Sequence, residues 1–231
     1  MFRFKHFQVE HDRSSMKVGT DGVLLGSWCD VSSAHRVLDV GTGCGLIALM
    51  VAQRNSIATV DAIDVDAASI AEATSNFGKS PWGNRLYAVN DDYCTFESVE
   101  KYDLIVSNPP FFTNGILSPK EIRRNARHTQ SLTFEQLIVK SKSLLTDAGI
   151  LSIVTPTDAY KEILDMCKVN NLYVSNICNV FPMPGVQPKR LLWKIVKTPV
   201  QTVTDGLVIE SSPGCYSDDF INLCRDFYLK F

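Results

Sequence analysis

The chain has 231 residues, 45% of them hydrophobic, and a formal net charge of −2. That is enough apolar material for a full core and too little positive charge for a globally basic nucleic-acid binder, although local basic patches stay compatible with it. No stretch reaches the ~18 uninterrupted apolar residues of a spanning helix, and the start, MFRFKHFQVEHDR, scatters charges among aromatics instead of forming the apolar run of a signal peptide, so a cytoplasmic protein with no membrane partner is expected.

The seven cysteines are an odd number, widely spaced and without a C-x-x-C pair, so neither a disulfide framework nor a metal site is indicated. They read as small buried hydrophobes of a reducing compartment.

From Arg36 onward, β-branched apolar runs alternate with helix-like segments: RVLDVG, LIALMVAQRN, TVDAID, DAASIAEATSNF, RLYAVN and YDLIVSN. Such alternation predicts βαβ units on a parallel sheet covered on both faces, an α/β doubly wound fold. SLTFEQLIVKSKSLL then carries helical spacing and is followed by Gly149, ILSIVTP reads as a fifth strand, and DAYKEILDMCKVN as the next helix. LYVSNICNVFPM and LLWKIVKT are two long strand-like runs joined by PGVQPKR, too short a connection for a helix, so they should pair antiparallel. The terminal SDDFINLCRDFYLKF looks like a helix capped by its serine and packed by its aromatics.

LDVGTGCG places Gly41, Gly43 and Gly45 directly after the first strand, with Asp39 two residues ahead of them. Glycines there let the backbone approach a ligand, although a tight strand-to-helix turn alone would also use them. The spacing is G-x-G-x-G, not the G-x-G-x-x-G of a dinucleotide fingerprint. Asp64 ends the second strand, where a carboxylate can accept both hydroxyl hydrogens of a ribose, while Asp66 reads as a helix cap. Asn90, Asp91 and Asp92 close the third strand; one of the aspartates is expected to meet an adenine amino group, with a polar turn as the plainer alternative. Together these strand ends describe a pocket for an adenosine without phosphates.

DLIVSNPPFF sets two consecutive prolines at the end of the fourth strand, where neither can continue a ladder. The set DVGTGCG, AIDVD and SNPPF, in this order, resembles the class I methyltransferases that use S-adenosylmethionine and carry a [DNS]-P-P-[YFW] motif for planar nitrogens. The resemblance implies a Rossmann-like seven-stranded sheet, parallel with an antiparallel C-terminal hairpin. It further implies that Asn108, Pro109, Pro110 and Phe111 form the catalytic motif, Asn108 and the Pro109 carbonyl accepting the N–H groups of an exocyclic nitrogen and Phe111 stacking on its ring.

FKHFQVEHDRSSMKVGTDGVLLGSW, RNARHTQSLTFEQL and DFYLKF further resemble the YfiC type of bacterial tRNA methyltransferase, which acts on N6 of adenine 37 of a valine tRNA. That implies one methyltransferase domain over residues 1–231: an extension 1–35 that forms part of the cofactor site, a core 36–198, and a C-terminal strand and helix in 199–231. By the same resemblance Lys17, Gly19, Thr20 and Asp21 would close over the methionine end of the cofactor, which Asp39, Gly41, Gly43, Gly45, Asp64, Asp91, Asp92 and Asn108 would also hold; a polar loop is the alternative for the first four. Lys120, Arg123, Arg124, Arg127 and His128, with Lys189 and Arg190 on the hairpin turn, fit a tRNA partner or, more plainly, a solvated face. A ribosomal RNA guanine-N2 enzyme, a protein glutamine-N5 enzyme and a non-catalytic cofactor-binding RNA chaperone are the alternatives; the oligomeric state is left open, a monomer being the default.

Overall fold

A computed structural model describes residues 1–14, 16–110 and 132–231. Its centre is the run from β3 (Arg36–Val40) through α2 (Leu46–Arg54), β4 (Thr59–Asp64), α3 (Ala67–Gly78) and β5 (Leu86–Asn90) to β6 (Tyr102–Ser107). β3 is flanked by β4 on one side and β6 on the other, all parallel. Strands so placed are covered on both faces, which is why they are apolar at consecutive positions and not only at alternate ones. Val37, Leu104 and Val106 face one core, with α1 (Thr20–Trp28), α2 and α3; Leu38, Ile105 and Ile63 face the other, with α4 (Phe134–Leu144) and α5 (Tyr160–Val169).

Beyond β6 follow β7 (Leu145–Pro156), β8 (Tyr173–Phe181) and β9 (Arg190–Val196). β9 inserts between β7 and β8 and is antiparallel to both, the hairpin that the short PGVQPKR connection requires. Buried Trp193 anchors it, donating its indole N–H to Thr155 Oγ1 at 2.8 Å. β10 (Val203–Val208), within the 199–231 segment for which a C-terminal strand was expected, makes the sheet eight-stranded, not seven-stranded: it runs parallel to β8 at the edge, giving the order β10-β8-β9-β7-β6-β3-β4-β5. Two small antiparallel pairs lie outside this sheet: β1 (Phe2–Arg3) with β2 (Gln8–Val9), and β11 (Glu210–Ser212) with β12 (Cys215–Tyr216), which leads into α6 (Asp218–Cys224).

Local chemistry explains most boundaries. Asp66 caps α3 through Ala68 and Ser69 N–H, Ser217 caps α6 through Phe220 N–H, and Thr133 with Gln136 forms a capping box on α4. The expected Gly149 helix stop is corrected. Gly149 sits inside β7, four residues beyond its start, and an added Cβ there would lie 2.9 Å from the Tyr102 carbonyl oxygen. Its missing side chain admits the neighbouring strand where the β6–β7 register shifts between Tyr102 and Leu104. The seven cysteines are all free, and Cys29, Cys44, Cys167, Cys178 and Cys224 are buried. Among the described residues no helix is long and apolar enough to cross a membrane.

Candidate active site

The strand order reverses between β3 and β6, since β4 and β5 extend the sheet one way and β7 the other. In open α/β sheets the crevice outside the carboxyl ends of such a pair is where ligands bind. Val40 and Ser107 are register partners, and the Ser107 hydroxyl donates to the Val40 carbonyl at 2.8 Å. The glycine loop and Asn108 therefore leave the sheet side by side.

Gly41, Gly43 and Gly45 all hold positive φ, at +69°, +56° and +84°, the region L side chains avoid. The loop is pinned from β4: Ile63 accepts from Gly41 and Thr42 N–H, and the Asp64 Oδ2 accepts from Gly43 N–H at 2.9 Å. Asp64 Oδ1 takes the Asp66 N–H at 2.9 Å, so this carboxylate organises the loops on either side of it. A Cβ built on Gly41 meets no atom within 4 Å, so the loop borders open space there, whereas one on Gly45 would lie 2.4 Å from Phe77. Gly41 thus serves the cavity and Gly45 the helix packing.

Asp39 lies beneath the loop, buried, its Oδ2 accepting from the Thr42 hydroxyl at 2.6 Å and from Ala48 N–H in the first turn of α2 at 3.1 Å. Among the described residues its Oδ1 has no hydrogen-bond partner, although it is buried. Burial, with a smaller push from Asp64, raises its pKa to about 7 against the pull of those two hydrogen bonds. The folded protein then holds a proton that the unfolded chain releases near ~3.9, so the stability contributed at Asp39 is complete below that pH and is lost as pH rises toward about 7. Asp39→Asn cannot titrate. The difference in unfolding temperature between wild type and Asp39→Asn is expected to change across this interval, wild type losing ground with rising pH; parallel melting curves from pH 4 to 8 would contradict it.

Asn108 follows a central strand, and among the described residues its Oδ1 is also buried without a hydrogen-bond partner. Buried acceptors are normally satisfied, so this oxygen is placed for a donor that the described residues do not supply. Pro109 is buried beside it, and a proline after Asn108 biases that residue to an extended conformation. Phe111, Lys120, Arg123, Arg124, Arg127 and His128 lie outside the described residues.

Residues 1–35 contribute more than an extension. α1 is a helix that sequence reasoning did not single out: apolar all round, it shows no amphipathic stripe to find. A Cβ on Gly22 would lie 4.0 Å from Asn108 Nδ2, so the glycine brings α1 against the site. Ahead of it, residues 10–14 are strapped over the glycine loop. Buried Glu72 accepts from Asp12, Arg13 and Ser14 N–H at 2.8–3.0 Å, and Asn76 bonds both Glu10 and the Cys44 carbonyl. Two polar residues on the inner face of an otherwise amphipathic α3 were the available signal.

Lys17 and Gly19 precede α1, and Thr20 and Asp21 form its first turn, not a free loop. Asp21 Oδ2 is held by Arg190 Nε at 2.8 Å. Arg190 is correspondingly the first residue of β9 and not a turn residue; Lys189 alone stays at the hairpin mouth, exposed. Asn90, exposed, donates to the Asp64 and Val65 carbonyls; Asp91 accepts from Asp92 N–H, and Asp92 from Cys94 N–H. All three stand at the β5 end, next to Asp64 across the β4–β5 register.

A family model described as "Methyltransferase small domain" matches residues 14–172. The chain is 41% identical over 229 residues to the tRNA1(Val) (adenine(37)-N6)-methyltransferase of Bacteroides thetaiotaomicron, covering 99% of this chain and 97% of the relative. It is 43% identical to the enzyme of the same name from Phocaeicola vulgatus, with the same coverage. Among solved structures, a protein described as a predicted O-methyltransferase from Agrobacterium tumefaciens superposes with a TM-score of 0.71 at 18% identity, over 90% of this chain and 96% of that one, a likeness of fold alone.

Proposed function

The chain belongs to the methyltransferase small-domain family, and on that premise we propose that it methylates the exocyclic N6 of adenine 37 in a tRNA, a valine tRNA by the names of its full-length relatives, with S-adenosylmethionine as donor. The residues present fit that cofactor. The open flank of Gly41 admits a ligand against backbone, Asp64 stands where a ribose diol needs an acceptor, Asp91 and Asp92 stand at the adenine end, and the orphan Asp39 Oδ1 offers a buried polar contact. Lys17, Gly19, Thr20 and Asp21 border the opposite side, through α1. When bound, S-adenosylmethionine supplies an electrophilic methyl group on sulfonium.

The observation that carries the reading is the buried Asn108 Oδ1 at the switch point, which has no hydrogen-bond partner among the described residues. An adenine amino nitrogen delocalises its lone pair into the ring and is a poor nucleophile. With one N–H donated to Asn108 Oδ1 and the other to the Pro109 carbonyl, the nitrogen is drawn toward tetrahedral geometry and its lone pair freed for attack. Once alkylated it is cationic and sheds its proton to water, so no strong base is needed. A base inside a stem would have to be unstacked first, which an unpaired anticodon loop makes cheap.

Bulk tRNA, ribosomal RNA and a glutamine-containing peptide offered side by side with labelled cofactor test this. The expected result is label in N6-methyladenine of tRNA, read by nucleoside mass spectrometry. Label confined to guanine or to the peptide would overturn the assignment.

A further inference from the structure

On the side of Asn108 away from the glycine loop, α1, the β8–β9 hairpin and the C-terminal segment enclose a groove of about 430 Å³. That volume suits one nucleotide-sized group. Its position is set by the sheet. Arg190 is the register partner of Pro156, at the carboxyl end of β7, so the groove opens at the same end of the strands as Asn108, and its wall residue Asp21 is the chain neighbour of Gly22, which packs toward the Asn108 side chain. The glycine loop, Asp64, Asp91 and Asp92, assigned to the cofactor, lie across β6, at the ends of β3, β4 and β5, while Thr20 and Asp21 of α1 stand between the two sides and line the groove. The groove therefore lies beside the reacting centre and meets the donor's side only through the first turn of α1.

Its lining combines the three chemistries a nucleotide needs. Tyr216 is 48% exposed, and its ring is stacked on buried Phe220 at 5.1 Å and 29°, which holds one aromatic face rigid while the ring stays accessible. Asp21, paired with Arg190 Nε at 2.8 Å, and Glu210, whose Oε2 takes the Gly214 N–H at 3.1 Å, each keep lone pairs that can accept base N–H groups. Lys189 is exposed at the rim, its backbone N–H tied to the Val180 carbonyl at 2.9 Å, and among the described residues its ammonium has no hydrogen bond or ion pair. Of the two cations that line the groove, Arg190 is held by Asp21, so a free phosphate would meet Lys189 beside the Asp21 and Glu210 carboxylates; a nucleotide presents a neutral stacking ring and amino groups to the interior with its phosphate at the rim. Resting on the tRNA reading above, we propose that this groove binds the nucleotide adjacent to the target adenine, its base stacked on Tyr216 and its phosphate on Lys189.

The test is tRNA affinity, measured by fluorescence anisotropy with the full chain, S-adenosylhomocysteine and an unmodified valine tRNA transcript. Tyr216→Ala is expected to weaken binding about tenfold, as loss of one base–aromatic stack does, while Tyr216→Phe stays within about twofold of wild type. Neither should alter affinity for S-adenosylhomocysteine, which guards against misfolding. A transcript made abasic on one side of adenine 37 should lose the same factor with wild type and nothing further with Tyr216→Ala. Lys189→Glu should flatten the slope of log affinity against log salt by ~0.7. Unchanged affinity for Tyr216→Ala, or losses that multiply in full with both abasic transcripts, would overturn the groove. Wild type that methylates no tRNA adenine, yet shows the Tyr216 and abasic effects, would sink the proposed reaction and sustain the groove.

Discussion

Asn108→Ala is expected to lower single-turnover methylation ~100- to 1000-fold while leaving the dissociation constant for S-adenosylmethionine close to wild type. The magnitude is that of removing one preorganised polar group from a transition state. The structure sharpens the expectation, because among the described residues Asn108 Oδ1 has no hydrogen-bond partner whose loss would cost stability. Stability should change little, so a slow variant cannot be dismissed as an unfolded one. Asn108→Asp keeps an acceptor but adds a buried charge at the end of a central strand, where its ionised form is disfavoured. It should recover part of the rate and show a pH dependence that wild type lacks. Rapid-quench assays at saturating cofactor and tRNA decide; a wild-type rate for Asn108→Ala would remove the residue from the chemistry.

Asp64→Ala should have the second largest effect, on cofactor binding. Each hydrogen bond to a charged acceptor contributes ~1.5–3 kcal/mol, so losing two ribose contacts predicts at least a ~100-fold weaker S-adenosylmethionine complex by calorimetry. Part of that loss is indirect. The same carboxylate holds Gly43 N–H and Asp66 N–H, so alanine also frees the glycine loop. Asp64→Asn retains one oxygen acceptor and should fall between wild type and alanine. An unchanged dissociation constant in the alanine variant would move the ribose contact to another residue.

The local elements were legible in the chain because each is dictated by short-range chemistry. TVDAID is β4 to the residue, Asp66 caps α3 as its position before DAASIAEA demands, and the short PGVQPKR connection compels an antiparallel return. The glycine loop, Asp64 and Asn-Pro-Pro were likewise legible, since backbone conformation at Gly41 and the loss of N–H at two prolines are properties of the residues themselves. What only tertiary structure decided are relations between distant segments that leave no period in the sequence. A C-terminal strand was expected within 199–231, but its partner was not: β10 pairs parallel with β8 at the sheet edge although its residues are mostly exposed and no apolar run marks it. Glu72 reads as a surface acid of a helix until the strap of residues 10–14 closes over it and buries its carboxylate against three N–H groups. Arg190 reads as a free cation until Asp21, 169 positions earlier, meets it across the groove. A charge's partner is chosen by three-dimensional proximity, and for these residues that proximity exists only once both faces of the sheet have been packed.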